Sequence, residues 1–229
     1  MERFDPTEGS DSTVGTFTEG INYLDTPLNT SVWGEMRVGI AGVLSELPRG
    51  GAWLDIGAGD GRYTSFLLSR FEQVTAIDAD RSALAKLDAV NNNICRERLN
   101  IFEYNVVNSL PFSEETFDGV LSTGLLHYFE EILLKEILLD VHRVLRPRGF
   151  LVFDLSTEVQ RVQIEGNILM PRRGAVYTRD SAYALLESLG DIFKFSIKEQ
   201  RVQSVPMLIL GMPAKWSSLD LQVLGVARK

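Results

Sequence analysis

Between positions 52 and 64 the chain reads AWLDIGAGDGRYT, an apolar strand-like run that ends in three glycines spaced two apart, Gly57, Gly59 and Gly61. A strand that turns at Gly-x-Gly into a helix can bring bare backbone amides against a ligand, because glycine has no Cβ and tolerates positive φ. In the dinucleotide fingerprint G-x-G-x-x-G the third glycine would fall at Arg62, so this turn is one residue shorter. Asp55 stands two residues before the first glycine, where a carboxylate opposes a diphosphate and suits an ammonium or sulfonium.

Strand and helix signals alternate around this turn. A helical pattern over Val32–Leu47 is broken by Pro48, Gly50 and Gly51; AWLDI (52–56) reads as a strand, Arg62–Ser69 as a helix and QVTAI (73–77) as a second strand, apolar enough to be buried on both faces. Asp80 can cap a helix over Arg81–Val90. LNIFEY (99–104) and FDGVL (117–121) are the next strands, and EEILLKEILLDVHRVL (130–145) carries a helical stripe at Ile132, Ile137, Val141, Val144 and Leu145. RPRG (146–149) ends that helix, with Gly149 free to take positive φ, and FLVFDL (150–155) is the fifth strand. Such alternation implies right-handed crossovers and an α/β fold with a parallel sheet covered by helices on both faces. After a helix over Asp180–Leu189, the candidates 192–203 and 221–229 are joined too closely for a crossover helix, which predicts an antiparallel pair at one sheet edge.

Composition narrows the partners. The chain has 229 residues, 45% hydrophobic and 24% charged, the balance of a soluble globular protein with one core. Its net charge of −8 repels phosphate backbones and anionic membranes, so neither nucleic acid nor membrane is the expected partner, although Arg172 and Arg173 form a local basic pair. A single cysteine, Cys95, rules out an intrachain disulfide and fits a reducing compartment. The first thirty residues are polar and acidic without an apolar core segment, which makes the cytoplasm the expected location. No residue is assigned to a metal.

The second acidic element is VTAIDAD, with Asp78 at the tip of the second strand. A carboxylate there can accept both hydroxyls of a ribose; the alternative is that Asp78 and Asp80 only shape a turn and a cap. The ligand expected is therefore a nucleoside without a diphosphate.

DIGAGDG, AIDAD, NSLPFSEETFDGVLSTGLLHYF and LRPRGFLVFDL, in that order, resemble the motifs of class I S-adenosylmethionine-dependent methyltransferases, in particular the methyltransferase type 11 group. The resemblance runs from Trp53 to Leu155, and YTRDSAYALLESLGDIF (177–193) resembles the helix and strand that follow in the family. It implies a Rossmann-like sheet of seven mostly parallel strands with an antiparallel edge strand, and S-adenosylmethionine as cofactor. By position it implies that Gly57, Ala58 and Gly59, in the turn completed by Gly61, pass under the methionine part, and that Asp55 orients its amino group. It places the ribose on Asp78, the adenine against Ala79, Asn105 and Val106, and the methionine end near Ser122 and Thr123. Where the family often has an acid for the adenine amino group, this chain has Asn105 and Val106.

His127, in STGLLHYF, lies just past the fourth strand, where open α/β sheets bind ligands. Two roles are open to it: general base for an acceptor that must lose a proton, or part of the pocket wall. His142 is read as structural, and Tyr128 and Phe129 receive no catalytic role. The missing Asn-Pro-Pro-Tyr-like stretch, the distant Cys95 and the acidic charge favour a small-molecule acceptor over amide, exocyclic amine or cytosine C5 methylation. One domain is expected: an arm and helix over 1–45, a cofactor-binding core over 46–155, and acceptor-side segments with the sheet edge over 156–229. Phe17, Tyr23, Trp33, Met170, Met207, Met212 and Trp216 can line an apolar acceptor pocket, or equally serve as core or as an oligomer contact. A homodimer stays open. So do aminopropyl transfer or cyclase chemistry with the same cofactor, and a non-catalytic partner subunit.

Overall fold

The computed structural model describes residue 23 and residues 26–91, 97–170, 174–204, 207–209 and 212–229. Phe17, Cys95, Arg172 and Arg173, and parts of 205–211, lie outside the described residues, as does the side chain of Met207. In chain order the elements are α1 (Val38–Glu46), β1 (Ala52–Ile56), α2 (Thr64–Arg70), β2 (Gln73–Asp78), α3 (Arg81–Asn91), β3 (Leu99–Glu103) and β4 (Phe117–Ser122). There follow α4 (Glu131–Val144), β5 (Leu145–Gln163), β6 (Ile168–Leu169), α5 (Arg179–Glu187), β7 (Phe193–Gln203), β8 (Met207–Ile209) and β9 (Met212–Ala227).

The main path of the sheet runs β3-β2-β1-β4-β5-β9-β7, with β6 and β8 as short additions to β5 and β9. β1 to β5 pair in parallel, while β9 runs antiparallel to both β5 and β7, so the reversed strand sits one place in from the edge. The chain winds outward from β1 to β3 and then returns to β4 on its other side. That reversal opens a crevice at the carboxyl ends of β1 and β4, the usual ligand position in open α/β sheets.

The two-residue period of β1 distributes its side chains to two cores. Leu54 and Ile56 join Ile77, Val120, Leu138 and Leu185 on the face covered by α4 and α5. Trp53 points the other way, among Leu44, Leu67, Val74 and Leu87 of the α1, α2 and α3 side, and stacks on Phe71 with centroids 4.2 Å apart. A Cβ at Gly119 of β4 would lie 2.3 Å from the Trp53 ring, so the glycine there makes room for the tryptophan.

Several expectations shift. The first helix begins at Val38 instead of Val32, because 31–37 is drawn into turns with Gly34 at φ 75°. On α4 the buried stripe is Leu134, Ile137, Leu138, Val141 and Val144. Ile132, two positions before Leu134, falls on the opposite side and is 76% exposed. In RPRG it is Arg148 that takes positive φ (62°), not Gly149. Gly149 serves close approach instead, since a Cβ there would meet the Arg146 carbonyl at 2.9 Å.

The largest departure is at the end of the chain. β5 runs on past Leu155 to Gln163, and β9 starts at Met212. After an irregularity between Thr157 and Gln160, Arg161 pairs with Trp216 and Gln163 with Ala214. The two strands thus extend beyond the parallel core as an antiparallel ribbon on the side of the crevice.

Candidate functional site

A cavity of about 570 Å³ lies over the carboxyl ends of β1, β2 and β4. The glycine turn forms its floor. Gly57, Gly59 and Gly61 take φ of 70°, 55° and 87°, and the amides of Gly57 and Ala58 both donate to the Ile77 carbonyl at 2.9 and 3.1 Å, tying the turn to β2. A Cβ at Gly57 would lie 2.7 Å from Leu125 Cδ2, so any side chain there would displace the wall. Gly61 does not reach the cavity; it lets α3 approach, with Leu87 3.2 Å from where a Cβ would be.

Asp78 closes the tip of β2. Its Oδ2 accepts from the Gly59 amide and its Oδ1 from the Asp80 amide, each at 2.8 Å. A carboxylate oxygen has a second lone pair, so both can still accept from a bound diol. Burial pushes the Asp78 pKa up to about 6, against the pull of those amides. Asp80 caps α3 as expected, accepting from the Ser82 and Ala83 amides at 2.9 and 3.2 Å.

Asp55 stands beneath the turn, 3% exposed and outside the cavity wall. Its Oδ2 has no hydrogen-bond partner among the described residues. Burial, followed by the charge of Asp78, lifts its pKa to about 7. Ser122 is likewise buried behind the wall, whereas Ala58, Ala79, Asn105, Val106 and Thr123 line it. Asn105 Oδ1 accepts from the Val107 amide at 3.2 Å, within its own loop. That loop is held by α4: Asp140 accepts from the Leu110 amide, and Arg143 donates to the carbonyls of Phe112 and Leu110 at 2.7 and 2.8 Å. A glycine cradle, an acid with spare lone pairs at a strand tip, and a buried carboxylate beneath the turn suit a ribose-bearing cation such as S-adenosylmethionine.

His127 sits on a 3₁₀ turn, Leu126–Tyr128, directly after β4, and lines the cavity beside Tyr128, with ring centroids 4.4 Å apart. The turn is pinned from below, since the Tyr177 hydroxyl donates to the Phe129 carbonyl at 2.8 Å and the Ala175 amide to the Tyr128 carbonyl at 3.1 Å. His142 is remote from it: it packs edge-on to Phe193 and its Nε2 is 3.3 Å from the Arg228 carbonyl.

The roof comes from the segment before α1, fastened by residues to which the sequence reading gave no role. Asp60 and Lys86 form a fully buried ion pair at 3.1 Å. Asp60 also accepts from the Ser31 hydroxyl at 2.6 Å and the Val32 amide at 2.8 Å; Lys86 donates to the Thr30 carbonyl at 2.7 Å and to the Thr26 hydroxyl. The segment so fastened lays Tyr23 and Trp33, joined by a 3.1 Å hydrogen bond, within about 4 Å of where a Gly59 Cβ would be. Both line the cavity, as does Trp216, while Met170 packs instead against Ala214 and Trp216 in a small separate cluster. The one available signal was position: Asp60 lies inside the glycine turn.

Arg37 completes the wall near β5. Its guanidinium pairs with Asp154 at 3.1 Å and with Asp220, both fully buried. Asp154 Oδ1 accepts from the Gly124 amide at 2.7 Å, which anchors the loop after β4.

A strand path of 3-2-1-4-5 extended by an antiparallel strand, with a glycine turn after β1 and an acid at the tip of β2, makes a Rossmann-like α/β domain. Its central part, residues 54–153, matches the Methyltransf_11 family, a methyltransferase domain. An uncharacterized methyltransferase of Synechocystis sp. is 32% identical over 107 residues, 44% of this chain and 46% of that protein. This chain spans under half the length of that curated relative and about a third (32%) of another. Among solved structures, the YcgJ protein of Bacillus subtilis shares the fold with a TM-score of 0.65 at 13% identity, over 84% of this chain and 100% of that one. The 1,6-didemethyltoxoflavin-N1-methyltransferase of Burkholderia thailandensis, solved with 1,6-didemethyltoxoflavin and S-adenosylhomocysteine, shares it at 0.56 and 24% identity, over 81% and 76% of the two chains.

Proposed function

We propose that the chain transfers a methyl group from S-adenosylmethionine to O, N or C of a small-molecule metabolite. The observation that carries this reading is Asp78, oriented by the Gly59 and Asp80 amides at 2.8 Å and lining the cavity beside the glycine turn. When bound, the cofactor supplies a methyl group on a sulfonium. In our reading Asp78 takes the ribose hydroxyls, Ala79, Asn105 and Val106 the adenine, and Gly57–Gly59 with Thr123 the methionine end. Asp55, Gly61 and Ser122 lie behind the wall and support it: Asp55 by its charge, the other two by shaping the turn and the strand end. Residues 46–155 thus hold the cofactor, and the roof before α1 and the ribbon after Leu155 hold the acceptor.

A closed roof excludes water and aligns acceptor with methyl, which is the larger part of the work in an in-line displacement. His127 is the candidate base at the acceptor end. The 1,6-didemethyltoxoflavin-N1-methyltransferase shares this fold and was solved with 1,6-didemethyltoxoflavin bound, which supports a small acceptor here. Among the described residues no helix is long and apolar enough to cross a membrane, and with the acidic charge this favours the cytoplasm.

The test is calorimetry with S-adenosylmethionine and S-adenosylhomocysteine, followed by incubation with metabolite fractions and mass spectrometry of the products. Formation of S-adenosylhomocysteine with a methylated product is expected. Methylthioadenosine in its place would mean aminopropyl-type chemistry, and tight NAD binding without S-adenosylmethionine binding would sink the choice of cofactor. If His127 is the base, His127→Gln lowers kcat by about a hundredfold or more and leaves S-adenosylhomocysteine affinity unchanged.

A further inference from the structure

Arg62 occupies the place where a dinucleotide turn has its third glycine, immediately after Gly61, and it lines the cavity. Its Nε and Nη2 both donate to the Glu35 carbonyl, at 2.9 and 2.6 Å, and its Cζ lies 5.6 Å from the centroid of the Tyr63 ring. A guanidinium presents its N–H groups in a fixed fork with more than one edge. The Nε–Nη2 edge is committed to Glu35; the end-on Nη1–Nη2 edge has no partner, and no carboxylate pairs with Arg62, among the described residues. Burial is the largest influence on this guanidinium and pushes its pKa down, the direction of a cation drawn out of water.

A bound S-adenosylmethionine brings a sulfonium, an ammonium and a carboxylate to the turn. The acids there, Asp55 beneath it and Asp78 at the tip of β2, suit the two cations and the ribose but repel the carboxylate. The anionic end therefore needs a cation not already matched. Arg37 is matched by Asp154 and Asp220, and Arg161 belongs to the ribbon beyond Leu155, whereas Arg62 follows the glycine turn directly.

We infer that Arg62 binds the α-carboxylate of the cofactor end-on, through its Nη1–Nη2 edge. This rests on the methyltransferase reading given above. Two parallel N–H groups match the two oxygens of a carboxylate in one plane. The Glu35 carbonyl fixes that plane in advance, so less side-chain freedom is lost when the ligand arrives. Glu35 belongs to the segment before α1, so one guanidinium joins the cofactor to the roof above it.

The experiment is calorimetry with S-adenosylhomocysteine and with its decarboxylated form, which differ only by that carboxylate. The wild type prefers the carboxylate-bearing ligand by about tenfold or more. Arg62→Gln removes this preference, weakening S-adenosylhomocysteine far more than the decarboxylated form, and Arg62→Lys, which keeps the charge without the fork, retains part of it. Equal binding of the two ligands by the wild type overturns the inference. So does an undiminished preference in Arg62→Gln, whether both ligands weaken together, as when the guanidinium only fastens the roof, or neither does, as when it serves an anion on the acceptor. Where Arg62→Gln does not fold, an undiminished preference in Arg62→Lys overturns it. Wild-type protein that binds neither ligand overturns the methyltransferase reading, and this inference with it.

Discussion

Asp78 and Asp55 lie one strand apart and meet the same site by different routes. Asp78 faces the cavity with free lone pairs, so Asp78→Asn exchanges a charged acceptor for a half-donor. The expected cost is about 1.5–3 kcal/mol of cofactor affinity, read by calorimetry, with little change in fold. Asp55 is buried with one oxygen lacking a donor, and its pKa of about 7 stands above the ordinary value near 4 that it has in the unfolded chain. The folded chain therefore keeps a proton that the unfolded chain has released, so stability of the free protein falls as pH rises from about 4 to about 7. Urea midpoints at about pH 5 and pH 7.5 should differ more in the wild type than in Asp55→Asn. Cofactor affinity should move the other way, rising with pH, because a nearby sulfonium or ammonium favours the ionised carboxylates. Both acids were legible in the sequence, since each sits at a fixed offset from a strand and a glycine. Their division of labour was not legible, because which side of the turn a carboxylate faces depends on the pleat of β1 and on what packs behind it.

Helices and parallel strands followed from apolar periodicity, and their limits moved by a few residues where a turn took over, as at 31–37. The roof and the ribbon were the poorly legible elements. The roof owes its place to Lys86, 60 residues along the chain from Thr26 and 56 from Thr30, and to Asp60; no local pattern announces such a fastening. Lys86→Met should leave Asp60 buried without its partner, cost about 3 kcal/mol or more, and speed hydrogen exchange at residues 26–34 ahead of the sheet. The ribbon hid because its polar residues, several of them buried (Ser156, Thr157, Ser218 and Asp220), break the apolar pattern: STEVQRVQ and AKWSSLD are mostly polar, and only their pairing makes them strands. At α5 the structure shows reciprocal capping by Thr178 and Ser181. Thr178→Ala should cost about 1 kcal/mol in a denaturant titration.

At the scale of the whole molecule, Arg37 ties the segment before α1 to β9, 183 residues away at Asp220. Arg37→Met should strand two buried carboxylates and destabilise the chain by roughly 3–5 kcal/mol, read as a lowered urea midpoint. Such a cluster is invisible in a sequence, where one arginine and two aspartates look like any others. The sheet order carries a consequence for biosynthesis. β7 joins the sheet only through β9, yet it is translated first. Until the ribosome has delivered the residues up to Ala227, Phe193, Phe195 and Ile197 have no neighbouring strand, and the outer edge of β5 stands open. A nascent chain of this design reaches its native sheet by insertion of a late strand between two earlier ones, and during that interval both exposed edges are open to pairing with a neighbouring polypeptide.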